Sequence, residues 1–211
     1  MRRHLIEAML ALLALAVIAI LALGVRLDPH VDVAAVSQAH SVAATLGITL
    51  MQDVADLAAS QTVLALTVLC AAVLVLHRHW HGALALAVSV ASTQGLVAIV
   101  KHVVARDRPP GDDAMVHAAG YSFPSAHSAT SVALYGLLAL IAEHELRGRV
   151  SRAWAVAGAG ALCVAVGVCR VYLGAHYPTD VLAGWLLGSV IALGSWRGAL
   201  ALRGRTSAAT A

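Results

Sequence analysis

Long apolar runs alternate with short polar segments along most of the chain. The apolar runs are typically 16 to 21 residues long, which is close to the roughly 20 residues that a helix needs to span a bilayer. Six segments predict transmembrane helices, at about 5–25, 61–76, 83–104, 124–142, 153–168 and 178–196. The pattern therefore predicts an all-α integral membrane bundle of six transmembrane helices, with residues 1–211 forming one membrane domain.

Three parts of the chain need separate interpretation. In residues 26–59, polar side chains interrupt short apolar stretches, which predicts one or two amphipathic helices on the membrane surface between the first and second spans. The basic and then Ala/Thr-rich tail at 198–211 is predicted to be disordered. The first apolar run follows Arg2 and Arg3 like a signal peptide, but it is longer than a usual signal core. We interpret it as a retained helix, with cleavage near residue 23 as the alternative.

Composition is typical of a membrane protein. Hydrophobic residues make up 60% of the chain and charged residues 12%, so the chain is far more apolar than an ordinary soluble domain. The formal net charge of +3 does not indicate a nucleic-acid partner, because the basic residues lie in short loops between spans and form no single patch.

Cysteines and one group of histidines are the residues that could indicate a disulfide or a metal. Cys70, Cys163 and Cys169 lie within or at the end of apolar runs without paired spacing. They are predicted to be small core residues, with no disulfide or metal cluster. Three histidines alternate in one loop, at His77, His79 and His81. Because no carboxylate or cysteine lies nearby, we favour interfacial packing over a metal site for them.

Three polar stretches lie at the ends of predicted spans, at 101–109, 121–127 and 169–180. The first ends the third span, the second opens the fourth, and the third connects the fifth and sixth. Six spans therefore place all three stretches on the same side of the membrane. Ionisable groups at the edge of a span are costly and by default indicate a functional site.

Within these stretches Lys101, Arg108 and Arg170 offer three cations near one place. A group of donors without an equal number of carboxylates favours an oxyanion such as phosphate, which guanidinium groups bind in bidentate fashion. Two alternatives stay open, solvated loop charges and pairing with nearby acids. The acids closest in sequence are Asp107, Asp112 and Asp113.

The second stretch predicts the N-terminus of a helix. Pro124 suits the first turn, where its missing N–H is no loss. The N–H groups of Ser125, Ala126 and His127 would then lack helical partners and could bind an anion, and the Ser125 hydroxyl adds a donor. In the alternative interpretation, Ser125 is only a cap and His127 is an interfacial residue.

In the third stretch His176 and Asp180 are four residues apart, at the start of the last span. This spacing lets the carboxylate reach Nδ1–H of the imidazole, which would leave Nε2 unprotonated and able to attack. The alternative is that Asp180 complements the helix dipole and His176 lies at the rim. Together with a second imidazole and three cations, the arrangement suits phosphoryl transfer.

At this point the sequence resembles the type 2 phosphatidic acid phosphatase superfamily of membrane lipid phosphatases, whose site is related to that of vanadium haloperoxidases. The resemblance covers about residues 60–196. It rests on three motifs in order: Lys101–x6–Arg108–Pro109, Pro124–Ser125–Ala126–His127, and Arg170–x5–His176–x3–Asp180. Two positions depart from the family, which usually has Gly at Ala126 and Ser at Cys169.

The resemblance implies a mechanism. His176 attacks phosphorus and forms a phosphohistidine, Asp180 orients it, and His127 protonates the leaving oxygen and later activates water. The groups that hold the phosphoryl oxygens are Lys101, Arg108, Arg170, Ser125 and the N–H groups near Ala126. No metal and no cofactor are implied.

The loop cations predict which side of the membrane carries the site. With the predicted spans, nine of the 14 Lys and Arg residues lie on one side and five on the other, and the polar stretches belong to the side with five. The site is therefore predicted to face the extracytoplasmic side of the cell membrane. A further span hidden in 26–59 would invert this orientation.

The expected partners are a lipid phosphate substrate and membrane lipids. We favour a polyprenyl diphosphate carrier, and the alternative is a glycerolipid such as phosphatidate or phosphatidylglycerol phosphate. A non-catalytic lipid-binding or transport protein is disfavoured by the complete set of His127, His176 and Asp180. An intramembrane serine protease using Ser125 is disfavoured because the sequence contains no Gly-x-Ser-x-Gly.

Overall fold

The computed structural model describes residues 2–28, 32–110, 119–145 and 149–209. Helices make up nearly all of these residues, and no strand occurs among them. The α-helices are α1 (Arg2–Leu27), α2 (Val33–Leu46), α3 (Ile48–Asp56), α4 (Ser60–Leu76), α5 (Trp80–Val104), α6 (Ala126–Ser131), α7 (Leu137–Glu145), α8 (Arg149–Tyr172) and α9 (Pro178–Ala209).

The predicted all-α membrane bundle is confirmed. Among the described residues, five helices are long and apolar enough to cross a membrane, and the count reaches six if the bent pair α3 and α4 forms one span. Large apolar side chains face outward on these helices; Leu13 in α1 is 61% exposed and Leu64 in α4 is 60% exposed. This is the arrangement expected where lipid, not water, surrounds the protein.

Two helices, α2 and α3, occupy the segment predicted to hold one or two, and their position on the membrane surface stays a prediction. Met51 and Ala55, one turn apart on α3, are buried in an apolar cluster with Leu173 and Cys169 at the end of α8. α3 then meets α4 at a bend of 44°. The segment is therefore anchored against the third polar stretch.

The central helix α9 packs against α1, α5, α6 and α8. Two glycines one turn apart permit its close approach to α6. A Cβ at Gly184 would lie 2.6 Å from the Ser125 carbonyl oxygen, and one at Gly188 would lie 2.4 Å from the Ala129 carbonyl oxygen. Small residues at this spacing are typical of close helix pairs in membranes. They bring the second polar stretch against the third.

The fourth predicted helix begins and continues differently from the prediction. It starts at Ala126, with Ser125 as its N-cap, so Pro124 precedes the cap and does not occupy the first turn. The Ser125 hydroxyl accepts from the Ser128 N–H at 3.4 Å, which explains the later start. A π-helical segment, Val132–Gly136, then separates α6 from α7.

The prediction of a disordered tail at 198–211 is wrong for its described part, because α9 continues to Ala209. Ala199 is 3% exposed and belongs to an apolar cluster with Leu137 and Ile141. Residues 198–205 are also rich in Ala, Leu and Arg, which favour helix. Packing and propensity together extend the helix.

Candidate active site

A cavity of about 540 Å³ lies where the three polar stretches meet. Six of the eight predicted site residues line it: Lys101, Arg108, Ala126, His127, Arg170 and His176. The structure thus brings together residues that are up to 75 positions apart in the sequence. Asp180 and Ser125, the other two, lie behind the cavity wall.

Two of the cations are held by neutral backbone carbonyls. Lys101 Nζ donates to the carbonyl oxygens of Tyr121 and, at 3.2 Å, Ser122. The Arg108 guanidinium donates to three further carbonyls, including that of Ala175 at 2.7 Å. Carbonyls position these cations without neutralising them, so their charge stays available for an anion.

Two effects could weaken these charges, namely burial, which disfavours the protonated form, and pairing with a neighbouring acid. Burial lowers the pKa of the Arg108 guanidinium, which nevertheless stays protonated. Of the acids considered as partners, Asp107 is exposed, while Asp112 and Asp113 lie outside the described residues.

Arg170, in the last turn of α8, is only 7% exposed. Its Nε is buried and has no hydrogen-bond partner in the described part of the chain. Because a buried polar atom without a partner is costly, this guanidinium is well suited to bind an anion that enters the cavity.

The contacts of His176 define its tautomer. Nε2 lies 3.3 Å from Arg108 Nη1, and a guanidinium can only donate, so Nε2 must be the unprotonated nitrogen. Nδ1 carries the proton and lies 3.4 Å from Asp180 Oδ2. This contact is longer than a normal hydrogen bond, as catalytic contacts often are in the absence of substrate.

The protonation state of His176 follows from its burial. The residue is 1% exposed, and desolvation lowers the pKa of its imidazole to about 4, although Asp180 acts in the opposite direction. At neutral pH the imidazole is therefore uncharged, with a lone pair on Nε2.

The Asp180 carboxylate is fully buried, and both of its oxygens have partners. Oδ1 accepts from Arg106 Nη1 at 2.7 Å. Oδ2 accepts from the Tyr177 N–H at 3.0 Å and faces His176 Nδ1. The carboxylate is thus positioned to orient the imidazole, as its spacing from His176 predicted.

Ser125 corrects one part of the prediction. Its N–H does not face the cavity but donates to the Asp180 carbonyl at 2.9 Å. Its hydroxyl is fully buried and 3.0 Å from Ser128 Oγ. The reason is the close approach of α9 at Gly184, which places the start of α9 directly against the cap. Ala126 and His127, one and two residues later, do line the cavity.

The two departures from the family motifs have simple structural settings. Ala126 opens α6 and is one of the residues that line the cavity. Cys169 packs against the apolar cluster of Met51, Ala55 and Leu173. Its side chain therefore serves as an apolar contact beside Arg170.

Several residues around the site were not singled out from the sequence. The cavity is also lined by Gln52, Asp56, Ala119 and Leu173. Gln52 and Asp56 are four residues apart on α3, a spacing that places both on one helix face and could have indicated a shared surface. Arg106 was counted only as a loop cation. Among the described residues, no group of three or more His, Cys, Asp or Glu is arranged as a metal site.

Comparisons with known proteins show similarity to membrane phosphatases. The PAP2 superfamily matches residues 82–203 of the chain. Phosphatidylglycerophosphatase B of Bacillus subtilis (strain 168) is 34% identical over 143 residues, which are 67% of this chain and 70% of that protein. The putative undecaprenyl-diphosphatase YbjG of Escherichia coli (strain K12) is 37% identical over 114 residues, 51% of this chain and 50% of that protein.

Two further similarities extend the comparison. A lipid A 1-phosphatase of Rhizobium etli is 40% identical over 80 residues, 38% of this chain and 28% of that protein. The crystal structure of a transmembrane PAP2-type phosphatidylglycerolphosphate phosphatase from Bacillus subtilis superposes with a TM-score of 0.76 and 28% identity, covering 88% of this chain and 93% of that one. With the family match across more than half of its length, this chain belongs to the PAP2 superfamily.

Proposed function

We propose that this membrane lipid phosphatase works through a phosphohistidine formed on Nε2 of His176. The observation that carries the proposal is the His176 imidazole, buried and neutral, with its unprotonated Nε2 3.3 Å from Arg108 in a cavity lined by three cations. A nucleophile and the charges that stabilise a phosphoryl group are thus already assembled.

The reaction has two steps. Nε2 attacks phosphorus while the bond from phosphorus to the lipid oxygen breaks, and His127 gives a proton to that oxygen. Water then attacks the phosphohistidine, His127 takes its proton, and phosphate leaves with the P–N bond electrons returned to His176. Arg108 Nη1, which contacts Nε2 without substrate, transfers its hydrogen bond to a phosphoryl oxygen.

The substrate is a lipid phosphate, and we place a glycerolipid of the phosphatidylglycerol phosphate type first. One observation and one chemical argument support this choice over the polyprenyl diphosphate favoured from the sequence. The relative with 67% coverage and the superposed crystal structure both carry names of that class. A phosphomonoester must also expel an alkoxide, which requires an acid such as His127 more than a diphosphate does.

A diphosphate remains the second candidate, because the Escherichia coli relative is named for such a substrate. We further propose that the cavity faces the extracytoplasmic side of the cell membrane, an orientation supported by the nine-to-five distribution of loop cations.

The test is phosphate release by purified protein in detergent, across phosphatidylglycerol phosphate, phosphatidate and a polyprenyl diphosphate. Substrate labelled in the scissile phosphate should leave acid-labile, base-stable label on the protein. His176→Ala should abolish both turnover and labelling, whereas His77→Ala, an exposed histidine in a distant loop, should leave both unchanged. Turnover by His176→Ala, or label on another residue, would overturn the mechanism; no turnover of any substrate would favour a non-catalytic role.

A further inference from the structure

Arg106 is a buried cation behind the cavity. It is 4% exposed and is not among the residues that line the cavity. Its Nη1 donates to Asp180 Oδ1 at 2.7 Å and to Thr179 Oγ1 at 2.8 Å. The guanidinium carbon also lies 3.9 Å from the centre of the Tyr177 ring. Arg106 is thus fixed on several sides by the start of α9 and the residue before it.

A second carboxylate completes this arrangement. Asp32, just before α2, accepts from Arg106 Nη2 at 3.3 Å and from Nη1 at 3.4 Å. The same carboxylate oxygen accepts from the Thr179 N–H at 3.3 Å and from the Thr179 hydroxyl. A residue 148 positions before Asp180 in the sequence is therefore connected to it through one guanidinium.

These contacts form a continuous series of alternating charge, Asp32–Arg106–Asp180, that ends at His176. Arg106 occupies Asp180 Oδ1, which leaves Oδ2 for the Tyr177 N–H and His176 Nδ1. A buried carboxylate that lost its Oδ1 partner would rotate towards other donors. Rotation would remove the acceptor that keeps the Nδ1 proton, and with it the Nε2 lone pair, in place.

We propose that Arg106 is a positioning residue for the His176–Asp180 pair, and that Asp32 holds Arg106 in place. Its role differs from that of Arg108, two residues later, which lies in the cavity and contacts His176 directly. The inference rests on the proposed nucleophilic role of His176. Arg106 acts on the rate of attack and not on the binding of the phosphoryl group, because it does not reach the cavity.

The test compares Arg106→Gln, Arg106→Lys and Asp32→Asn with two controls, Arg78→Gln and Asp53→Asn, which change exposed side chains. Three quantities are measured in detergent: the single-turnover rate of phosphohistidine formation, KM, and the inhibition constant of vanadate. Melting temperature reports folding.

Arg106→Gln is expected to slow phosphohistidine formation by about 10²-fold, the typical cost of a misplaced reacting group. KM and the vanadate constant should change by less than about threefold, since binding is not affected. Arg106→Lys keeps the charge but not the bidentate geometry of the guanidinium. Its rate of phosphohistidine formation should therefore be about tenfold higher than that of Arg106→Gln. Asp32→Asn should slow the step by about tenfold, and adding it to Arg106→Gln should cause no further loss, because Asp32 acts through Arg106.

Several results would overturn the inference. One is an unchanged rate in Arg106→Gln, and another is a parallel loss of vanadate affinity, which would make Arg106 a binding residue. If Arg106→Gln does not fold, Asp32→Asn and Arg106→Lys test the inference in its place. Wild-type rates of phosphohistidine formation in both variants would refute the positioning role of Arg106. A wild-type protein that forms no phosphohistidine contradicts the proposed function itself. If the wild type forms phosphohistidine and Arg106→Gln forms it at the same rate, only this inference is contradicted.

Discussion

Arg108 Nη1 lies 3.3 Å from Nε2 of His176, so one guanidinium contacts the nitrogen proposed to attack phosphorus. The same guanidinium also donates to the carbonyl of Ala175, the residue before His176. Cation and nucleophile are therefore fixed relative to each other before substrate arrives. An incoming phosphoryl oxygen can take over the Nη1 donor while Nε2 turns to phosphorus, which requires little rearrangement at the moment of reaction.

Protonation of His176 should determine the acidic limb of the pH profile. Burial lowers the pKa of this imidazole from 6.5 to about 4, and only the unprotonated form can attack. Phosphohistidine formation should therefore persist through pH 5–6, where an ordinary histidine would be protonated, and decline as the pH falls through about 4. Single-turnover rates at pH 3.5–7 measure this, and a midpoint near 6.5 would contradict it.

The same lowered pKa has a consequence for stability. Between pH 6.5 and about 4 the unfolded state binds a proton at this residue and the folded state does not. The contribution of the neutral imidazole to the free energy of unfolding is therefore complete above pH 6.5 and is lost as the pH falls towards about 4. The side chain in His176→Gln cannot titrate. Between pH 6.5 and about 4, the melting temperature of this variant should therefore fall less than that of the wild type.

Gly184 and Gly188 should be essential for the packing of α9 against α6. A Cβ at Gly188 would meet the Ala129 carbonyl oxygen at 2.4 Å, and one at Gly184 would meet the Ser125 carbonyl oxygen at 2.6 Å. Replacing either glycine by alanine should cost on the order of 1–3 kcal/mol of stability, as overpacking does. Melting temperature in detergent measures the loss. Gly184→Ala should also reduce activity, because Ser125 directly precedes the cavity residues.

Gly198→Ala is the matched control for this prediction. Gly198 lies on the same helix, and a Cβ there would have nothing within 4 Å. The substitution should be neutral or stabilising by up to about 1 kcal/mol, the difference in helix propensity. Equal losses at Gly198 and Gly188 would show that contact with α6 is not the cause.

Asp56 is an acidic residue in the lining of a cavity that also contains three cations, Lys101, Arg108 and Arg170. A negative charge there repels an incoming phosphate. Asp56→Asn should therefore lower the vanadate inhibition constant by about fivefold. This corresponds to roughly 1 kcal/mol, the size of an interaction between two unit charges about 4 Å apart in water. The effect should shrink at high salt. Asp53→Asn, which changes an exposed acid on the same helix that does not line the cavity, is the control. Weaker vanadate binding in Asp56→Asn would show that Asp56 supports the cations instead.

The sequence predicted the cavity well because its main elements are local patterns. Spans could be counted from apolar runs, and this count placed the three polar stretches on one side of the membrane, where the cavity forms. The motif singled out Arg108, but a role for Arg106 could not be predicted in this way, because only its tertiary burial and its contact with Asp180 distinguish it from other loop arginines.

Contacts between distant segments could not be predicted from the sequence either, because they also depend on tertiary packing. The Ser125 N–H was expected to be free, and it bonds to the Asp180 carbonyl only because Gly184 lets two helices approach. Polar residues on α3 were recognised as interruptions of an apolar stretch. Which of them would face the cavity depends on the packing of Met51 and Ala55 against Leu173.

The orientation of the protein can be tested by cysteine labelling of intact cells. In a variant whose three native cysteines are replaced by alanine, a cysteine introduced in the 112–118 loop should react with an impermeant reagent added outside. This loop adjoins the cavity residues in sequence but lies outside the described residues. A cysteine at position 78, between α4 and α5, should react only after permeabilisation. The reverse pattern would place the cavity on the cytoplasmic side.

His127 should matter most for substrates with poor leaving groups. A diphosphate expels a lipid monophosphate, whose second pKa is about 6, so it can leave with little help. A phosphomonoester must expel an alkoxide, a much stronger base. His127→Ala should therefore slow phosphohistidine formation from phosphatidylglycerol phosphate by on the order of 10²–10⁴-fold, the usual contribution of a general acid. Formation from a polyprenyl diphosphate should slow far less.

Single-turnover measurement is needed for this comparison, because His127 is also proposed to activate water in the second step, which is common to all substrates. Steady-state rates would mix the two effects. His102→Ala, an exposed histidine on α5 that does not line the cavity, controls for the loss of an imidazole near the site. If both substrates slow equally in the first step of His127→Ala, His127 binds the phosphoryl group and does not act as the acid.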